Sequence, residues 1–166
     1  QVIRIVARPA NKVSAHALLS EIALQLVTDG ERLRGEALKQ RVLDIAADMD
    51  ADMPSELDHA LVHSLEVLLE LSSDAAISKM DPDQLDREVQ DALYRLLRWR
   101  SLRSPLVLML ENAHLASPHS LRHVAELAMR LRDRPILAVL TAVPRKDKDE
   151  VLEGVTGQAI LLGELA

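Results

Sequence analysis

The chain has 166 residues, 48% of them hydrophobic, and a net charge of -6 with basic residues scattered among acids. That is enough for one hydrophobic core and speaks against a nucleic-acid-binding surface; one Trp, one Tyr and no Phe also remove the stacking platforms that single-strand binders use. The absence of Cys excludes disulfides, thiolate catalysis and thiolate metal sites, and no run has the length of a membrane span or the form of a secretory leader, which makes a cytoplasmic location the default.

Taken in order, Val2 to Ala7 (VIRIVA) predicts a strand, and its alternation, with Arg4 and Arg8 on alternating positions, suits a sheet edge. Pro9 ends it. Ser14 is placed to cap a helix whose Leu18, Ile22 and Leu26 form one stripe. A polar turn from Thr28 to Gly35 leads to a second helix with Leu38, Val42, Ile45 and Met49 at three- and four-residue steps. The acidic segment MDADMP, Met49 to Pro54, reads as a break in the helix. Asp48, Asp50 and Asp52 have the look of a calcium loop, but the glycine and distal Glu of an EF-hand are missing, so a solvated turn is expected.

Ser55 opens a third helix with Leu57, Leu61, Leu65 and Leu68 inward; His59 and His63, one turn apart and without a third ligand nearby in sequence, read as a solvated face. A weakly patterned linker covers Ser72 to Lys79. Asp81-Pro82-Asp83-Gln84 is a helix start with Asp as cap and Pro in the first turn, followed by a stripe of Leu85, Val89, Leu93 and Leu96. Trp99 and Arg100 lead into the loop before Pro105.

The sequence LVLMLENAHLAS, Leu106 to Ser117, organises the rest. Its unbroken apolar run predicts a strand buried on both faces, as in a parallel sheet, and the acid that ends it, Glu111, falls where α/β sheets bind ligands. A helix follows from Pro118 to about Arg132, with Leu121, Val124, Ala128 and Leu131 inward. A second buried strand, Ile136 to Leu140, ends in Thr141; a charged loop spans Val143 to Glu150, and a short strand is expected at Ala159 to Leu162. Strands separated by helices predict an α/β fold with a parallel sheet and right-handed crossovers, with the mostly helical stretch 10–80 inserted between the first two strands. If the two buried strands are neighbours, Glu111 and Thr141 emerge side by side at one sheet edge. A zinc site can also be drawn through His119, His123 and Glu126, with His114 just upstream, but the HExxH order is absent and a solvated helix face is the expectation.

The run ENAHLASPHSLRHVAELAMRLRDRPILAVLT resembles the Walker B and sensor region of the STAND class of P-loop ATPases, relatives of AAA-type ATPases. The resemblance extends over Leu85 to Pro144; it is weak between Ala10 and Met80. Glu111 matches the family's first acid, His114 its His, Ala116 its Ala and Thr141 its Thr. The resemblance implies a P-loop NTPase sheet over 106–141, with magnesium held through water by Glu111, Glu111 and Asn112 as the catalytic pair, and Thr141 and His114 on the nucleotide. It implies ATP and Mg2+ as ligands and neighbouring domains of a signalling or transcription-regulating protein as partners; self-association is expected from an unpaired strand edge, and the charge pattern and the lack of a spanning run speak against nucleic acid and membrane. Members are attached to bacterial serine/threonine kinases, adenylate cyclases and large transcriptional activators.

The departures are specific. Asn112 stands where a second acid is usual, and an amide cannot take a proton as a base. Ser117 replaces a third acid, and Val143 stands where many relatives carry Arg. No GxxxxGK[ST] occurs, and the glycines at 30, 35, 154, 157 and 163 form no phosphate cradle. In the family that loop and the first strand precede the strand at Val2, so 1–166 reads as one N-terminally incomplete P-loop ATPase domain, cut from a longer protein and leaving a gap beside the Ile136–Leu140 strand. The alternative is a degenerate, non-catalytic interaction module on an ATPase fold. On either reading the 166 residues alone are expected neither to bind ATP tightly nor to hydrolyse it.

Overall fold

In the computed structural model, residues 1–8, 16–52, 59–71 and 81–143 are described. The expected cap at Ser14, the helix start at Ser55 and Leu57, the linker at 72–79, the loop cations Arg145, Lys146 and Lys148 and the strand at 159–162 lie outside them. The elements are β1 (Val2–Val6), α1 (Ala17–Thr28), α2 (Gly35–Asp52), α3 (His59–Leu68), α4 (Pro82–Arg103), β2 (Leu106–Glu111), α5 (Pro118–Arg130) and β3 (Ile136–Leu140), with a 3-10 turn at Ala113–Leu115.

The three strands form a parallel sheet in the order β1-β2-β3, so the fold is α/β and the two apolar runs are direct neighbours. Ile5 pairs with Leu110, and Leu110 with Leu140, which brings the C-terminal ends of all three strands level. Among the described residues β1 is a sheet edge, in keeping with its alternation. Its outward-facing Arg4 is bracketed by a side chain of α1: Gln25 Oε1 accepts from the Arg4 N–H (3.1 Å) and Gln25 Nε2 donates to the Arg4 carbonyl (2.6 Å). The amide of one residue thereby does for the middle of the edge what a further strand would do.

The expectation that the strands are buried on both faces is corrected. Ile3 and Ile5 on β1 are buried and share a face with Leu108 and Leu110. Leu18 and Ile22 of α1 and Val124 of α5 close over that face, meeting Ile5, Leu108 and Ala138. The opposite face carries Val2, Arg4, Val107, Met109, Leu137 and Val139. The described residues leave Val2 and Leu137 exposed and the other apolar ones partly so. The physical reason is topological. Strand order follows chain order, and right-handed crossovers that always step in the same direction lay their helices on the same side.

α1, α2, α3 and α4 bury one continuous core with that face, in which Leu19, Leu26, Ile45, Leu65, Leu93, Leu96 and Trp99 are almost fully enclosed. α4 starts at Pro82, whose fixed φ suits a first turn. The Asp81 carbonyl accepts from the N–H groups of Gln84 and Leu85, although its side chain makes no cap bond. α4 runs on to Arg103, past the expected exit at Trp99. Its last turns remain helical because Trp99 is buried and its indole N–H donates to Asp52 Oδ2 at 2.9 Å. The same contact corrects the expected acidic break. α2 stays helical through Asp52, and that carboxylate also accepts from Arg103 at 2.8 Å. Asp52 is an ion-pair partner in the last turn of the helix; Met53 and Pro54, the end of the expected break, lie outside the described residues.

Ile5→Ala is expected to cost about 2–5 kcal/mol of unfolding free energy, since a buried aliphatic side chain leaves a cavity. Leu137→Ala, on the open face, should stay within about 0.5 kcal/mol. Urea denaturation of the two variants checks the difference.

Candidate functional site

Glu111, Asn112, His114 and Thr141 are brought together, and backbone geometry does it. β2 ends at Glu111. Asn112 then takes a left-handed conformation (φ 55°, ψ 39°), which a short polar side chain tolerates better than most, and the chain turns into Ala113–Leu115. This turn lies along the exit of β3. The Ala113 N–H donates to the Thr141 carbonyl (2.8 Å), the Asn112 N–H meets Thr141 Oγ1 (3.4 Å), and the Val143 N–H donates to His114 Nδ1 (3.1 Å). Thr141 N–H donates in turn to the Leu110 carbonyl (2.9 Å). The two strand exits are laced to one another, and Ser117 closes the segment by capping α5, its Oγ accepting from the Ser120 N–H at 3.0 Å.

These bonds define what each group has left to offer. Thr141 Oγ1 takes the long Asn112 contact and keeps its hydroxyl proton for another acceptor. His114 accepts through Nδ1, so in the neutral ring its Nε2 carries the proton. Glu111 is the residue whose situation differs most from a simple strand-end acid. Arg4 on β1 shares its sheet face and holds both carboxylate oxygens, Nε to Oε1 at 2.7 Å and a terminal nitrogen to Oε2 at 2.9 Å. Arg4 is 65% exposed and Glu111 25%, so the pair sits at the surface, bidentate and water-accessible. The Arg4 hydrogen bonds, with its charge adding to them, hold the Glu111 carboxyl below the usual carboxylate range and raise the Arg4 guanidinium further. Glu111 is ionised and already paired. A metal ion approaching it competes with a guanidinium.

The residues of the alternative zinc reading are sorted differently than the sequence suggests. His119 and His123 do meet, their Nε2 atoms 2.6 Å apart, but His123 is buried, which corrects the expected solvated face. His114 is committed to Val143 at the strand exit, and Glu126 reaches His123 Nδ1 only at 3.8 Å. The group that joins the two histidines is Asp86 of α4, together with His16 ahead of α1. Both were outside the sequence reading, since Asp86 lies 33 residues from His119 and 70 from His16 and only the packing of α1, α4 and α5 unites them. Burial first, and the neighbouring His119 second, push the His123 imidazole below its ordinary range against the pull of Asp86 and Glu126.

No family model, curated protein or solved structure matches the chain. Among the described residues, no helix is long and apolar enough to cross a membrane.

The Arg4–Glu111 pair makes a signed prediction. A carboxyl whose folded value lies below its unfolded one adds stability above the unfolded value, about 4.3 for Glu, and loses it as pH falls through the folded value. Glu111 should therefore titrate below the ordinary range in the wild type and return to it in Arg4→Met. That variant should lose part of the stability difference between neutral pH and pH about 4. Carboxyl-carbon NMR titration and acid unfolding check the two halves.

Proposed function

We propose that the chain forms part of an ATP-binding regulatory domain of the STAND type, a switch in a signalling or transcription-regulating protein, built on a P-loop NTPase sheet. The observation that carries this reading is the adjacency of β2 and β3. The acid Glu111 and the hydroxyl of Thr141 end neighbouring parallel strands, at the sheet edge where α/β folds take their ligands. That juxtaposition is what the resemblance of Glu111, His114, Ala116 and Thr141 to the Walker B and sensor pattern requires. In this reading Glu111 holds magnesium through its water shell, Asn112 positions water beside it, and the Thr141 hydroxyl and His114 Nε2–H meet phosphate oxygens. The lacing between the two strand exits would pass a change at the phosphate directly to β3 and the segment beyond Val143, which is the kind of two-state coupling a nucleotide switch uses. The phosphate cradle itself is not supplied by these residues.

A second reading is favoured by one specific observation. Arg4 holds both oxygens of Glu111, and Asn112 brings no second charge. An acid locked to a guanidinium, beside an amide, suits a structural end to the sheet, and the domain would then be a non-catalytic interaction module on the same fold.

Calorimetric titration of magnesium-ATP into the intact protein separates the two. The variants are Glu111→Gln and Asn112→Gly, the latter chosen because glycine keeps the left-handed turn at no steric cost. On the first reading Glu111→Gln weakens magnesium-dependent binding by about tenfold or more and Asn112→Gly by less, because a carboxylate meets the metal's water shell with full charge and an amide with a dipole. Equal, negligible effects favour the module. The 166 residues by themselves should show no micromolar binding, since the sequence has no GxxxxGK[ST] to supply the oriented amides and Lys that the triphosphate charge needs.

A further inference from the structure

Three helices bring titratable side chains to one point, away from the strand exits. Asp86 lies in the second turn of α4, His119 and His123 lie one turn apart on α5, and His16 directly precedes α1. Asp86 Oδ2 is 3.1 Å from His119 Nε2 and 3.7 Å from His123 Nε2, and the two Nε2 atoms are 2.6 Å apart. A tetrahedral zinc ion with bonds of about 2.0–2.1 Å keeps its ligand atoms about 3.3 Å apart. The three edges of this triangle bracket that separation, so a shift of a few tenths of an ångström per side chain completes the geometry.

The far side of each ligand is also held. His16 Nε2 lies 2.5 Å from Asp86 Oδ1, which leaves Oδ2 turned toward the histidine pair. The Gln90 side-chain amide meets His123 Nδ1. The atom in contact is the amide nitrogen, a donor; turning the amide over sets its oxygen to accept from Nδ1–H, and metal binding selects that arrangement because it frees the Nε2 lone pair. Glu126 Oε2, 3.8 Å from the same Nδ1, adds a carboxylate behind it. Metal-bound histidines have outer partners of this kind, which fix ring orientation and tautomer. His123 is buried, whereas His119 is 42% exposed, so the triangle is closed on its inner side and reachable from outside. Two imidazoles and one carboxylate suit Zn2+ and its neighbours in the transition series, which complete such a set with water. Magnesium and calcium prefer all-oxygen ligand sets.

We propose that Asp86, His119 and His123 form a binding site for a divalent transition-metal ion of the zinc class, with His16 and Gln90 as outer partners. The ion ties α5 to α4 and, through His16, to the start of α1, and so fixes the helical layer that covers the sheet. The proposal is independent of nucleotide binding, because none of its residues lies at the strand exits.

The test uses the whole 166-residue chain, stripped with a chelator and titrated with Zn2+ by calorimetry and with Co2+ by visible absorption. The expected result is saturable binding of one ion per chain, a rise in melting temperature with Zn2+, and a ligand-field band with Co2+. Asp86→Asn and His119→Ala, at partly exposed positions, should each weaken Zn2+ by about 100-fold or more, and His16→Ala by about 10- to 100-fold. His63→Ala, on α3, should leave the affinity unchanged. Circular dichroism establishes that each variant is folded, and either ligand variant alone is decisive. Absence of saturable binding to the wild type overturns the proposal, as does unchanged affinity in a folded Asp86→Asn or His119→Ala chain.

Discussion

The parallel pairing of β2 with both of its neighbours is the constraint on which the other features depend. A parallel strand cannot return by a tight turn; the chain must cross over, and each crossing deposits helix on the sheet. With strand order following chain order, both crossings fall on one side. The long one, between β1 and β2, has room for α1 to α4; the short one holds α5 alone. Among the described residues the sheet therefore has a thick helical cover on one face and a sparsely covered opposite face, and it gathers three C-terminal strand ends at one edge. Glu111, Asn112, His114 and Thr141 are neighbours because of that pairing, and not because of any attraction among their side chains.

Charge is distributed to match. The surface pair Arg4–Glu111 lies on the open face, where water screens it and its worth to stability is small. Asp29 sits at the C-terminal end of α1 with φ 52° and collects Gln1, Arg41 and Arg100, while the Arg41 and Arg100 guanidiniums also donate to the Val27 and Leu26 carbonyls. Cations at the carbonyl end of a helix meet both its unpaired acceptors and its dipole. One carboxylate and two guanidiniums thus fasten the first helix to α2 and α4 at the point where the chain leaves it.

Periodicity in the sequence reveals which face of an element turns inward, and so VIRIVA, LVLMLE and ILAVL were readable as strands, and the stripes through Leu18, Leu38, Leu61, Leu93 and Leu121 as helices. It also made the β2–β3 adjacency a reasonable expectation, since the short crossover at α5 leaves little freedom. Periodicity does not reveal partners. Arg4 reads as an outward edge residue, and nothing in its neighbourhood signals a carboxylate 107 residues away. Asp86 carries no signal of its own in the sequence, yet it faces two histidines of another helix. Asp52 reads as a break because acids cluster there; the indole of Trp99, 47 residues on, keeps the helix going. An unbroken apolar run is equally compatible with one covered face or two, so the open side of the sheet had no signature at all.

The Gln25 amide that brackets Arg4 bears on how copies of such a sheet can meet. Stacking β3 of one copy against β1 of the next would repeat without closing, the head-to-tail geometry from which filaments grow. That contact needs the outward N–H and C=O at the middle of β1, and both are already taken by a side chain of the same molecule. A propagating ribbon would first have to peel Gln25 away, so polymerisation through this edge is interrupted at every copy, whatever lies against β3. A single neutral side chain thereby acts as a chain terminator at the level of assembly.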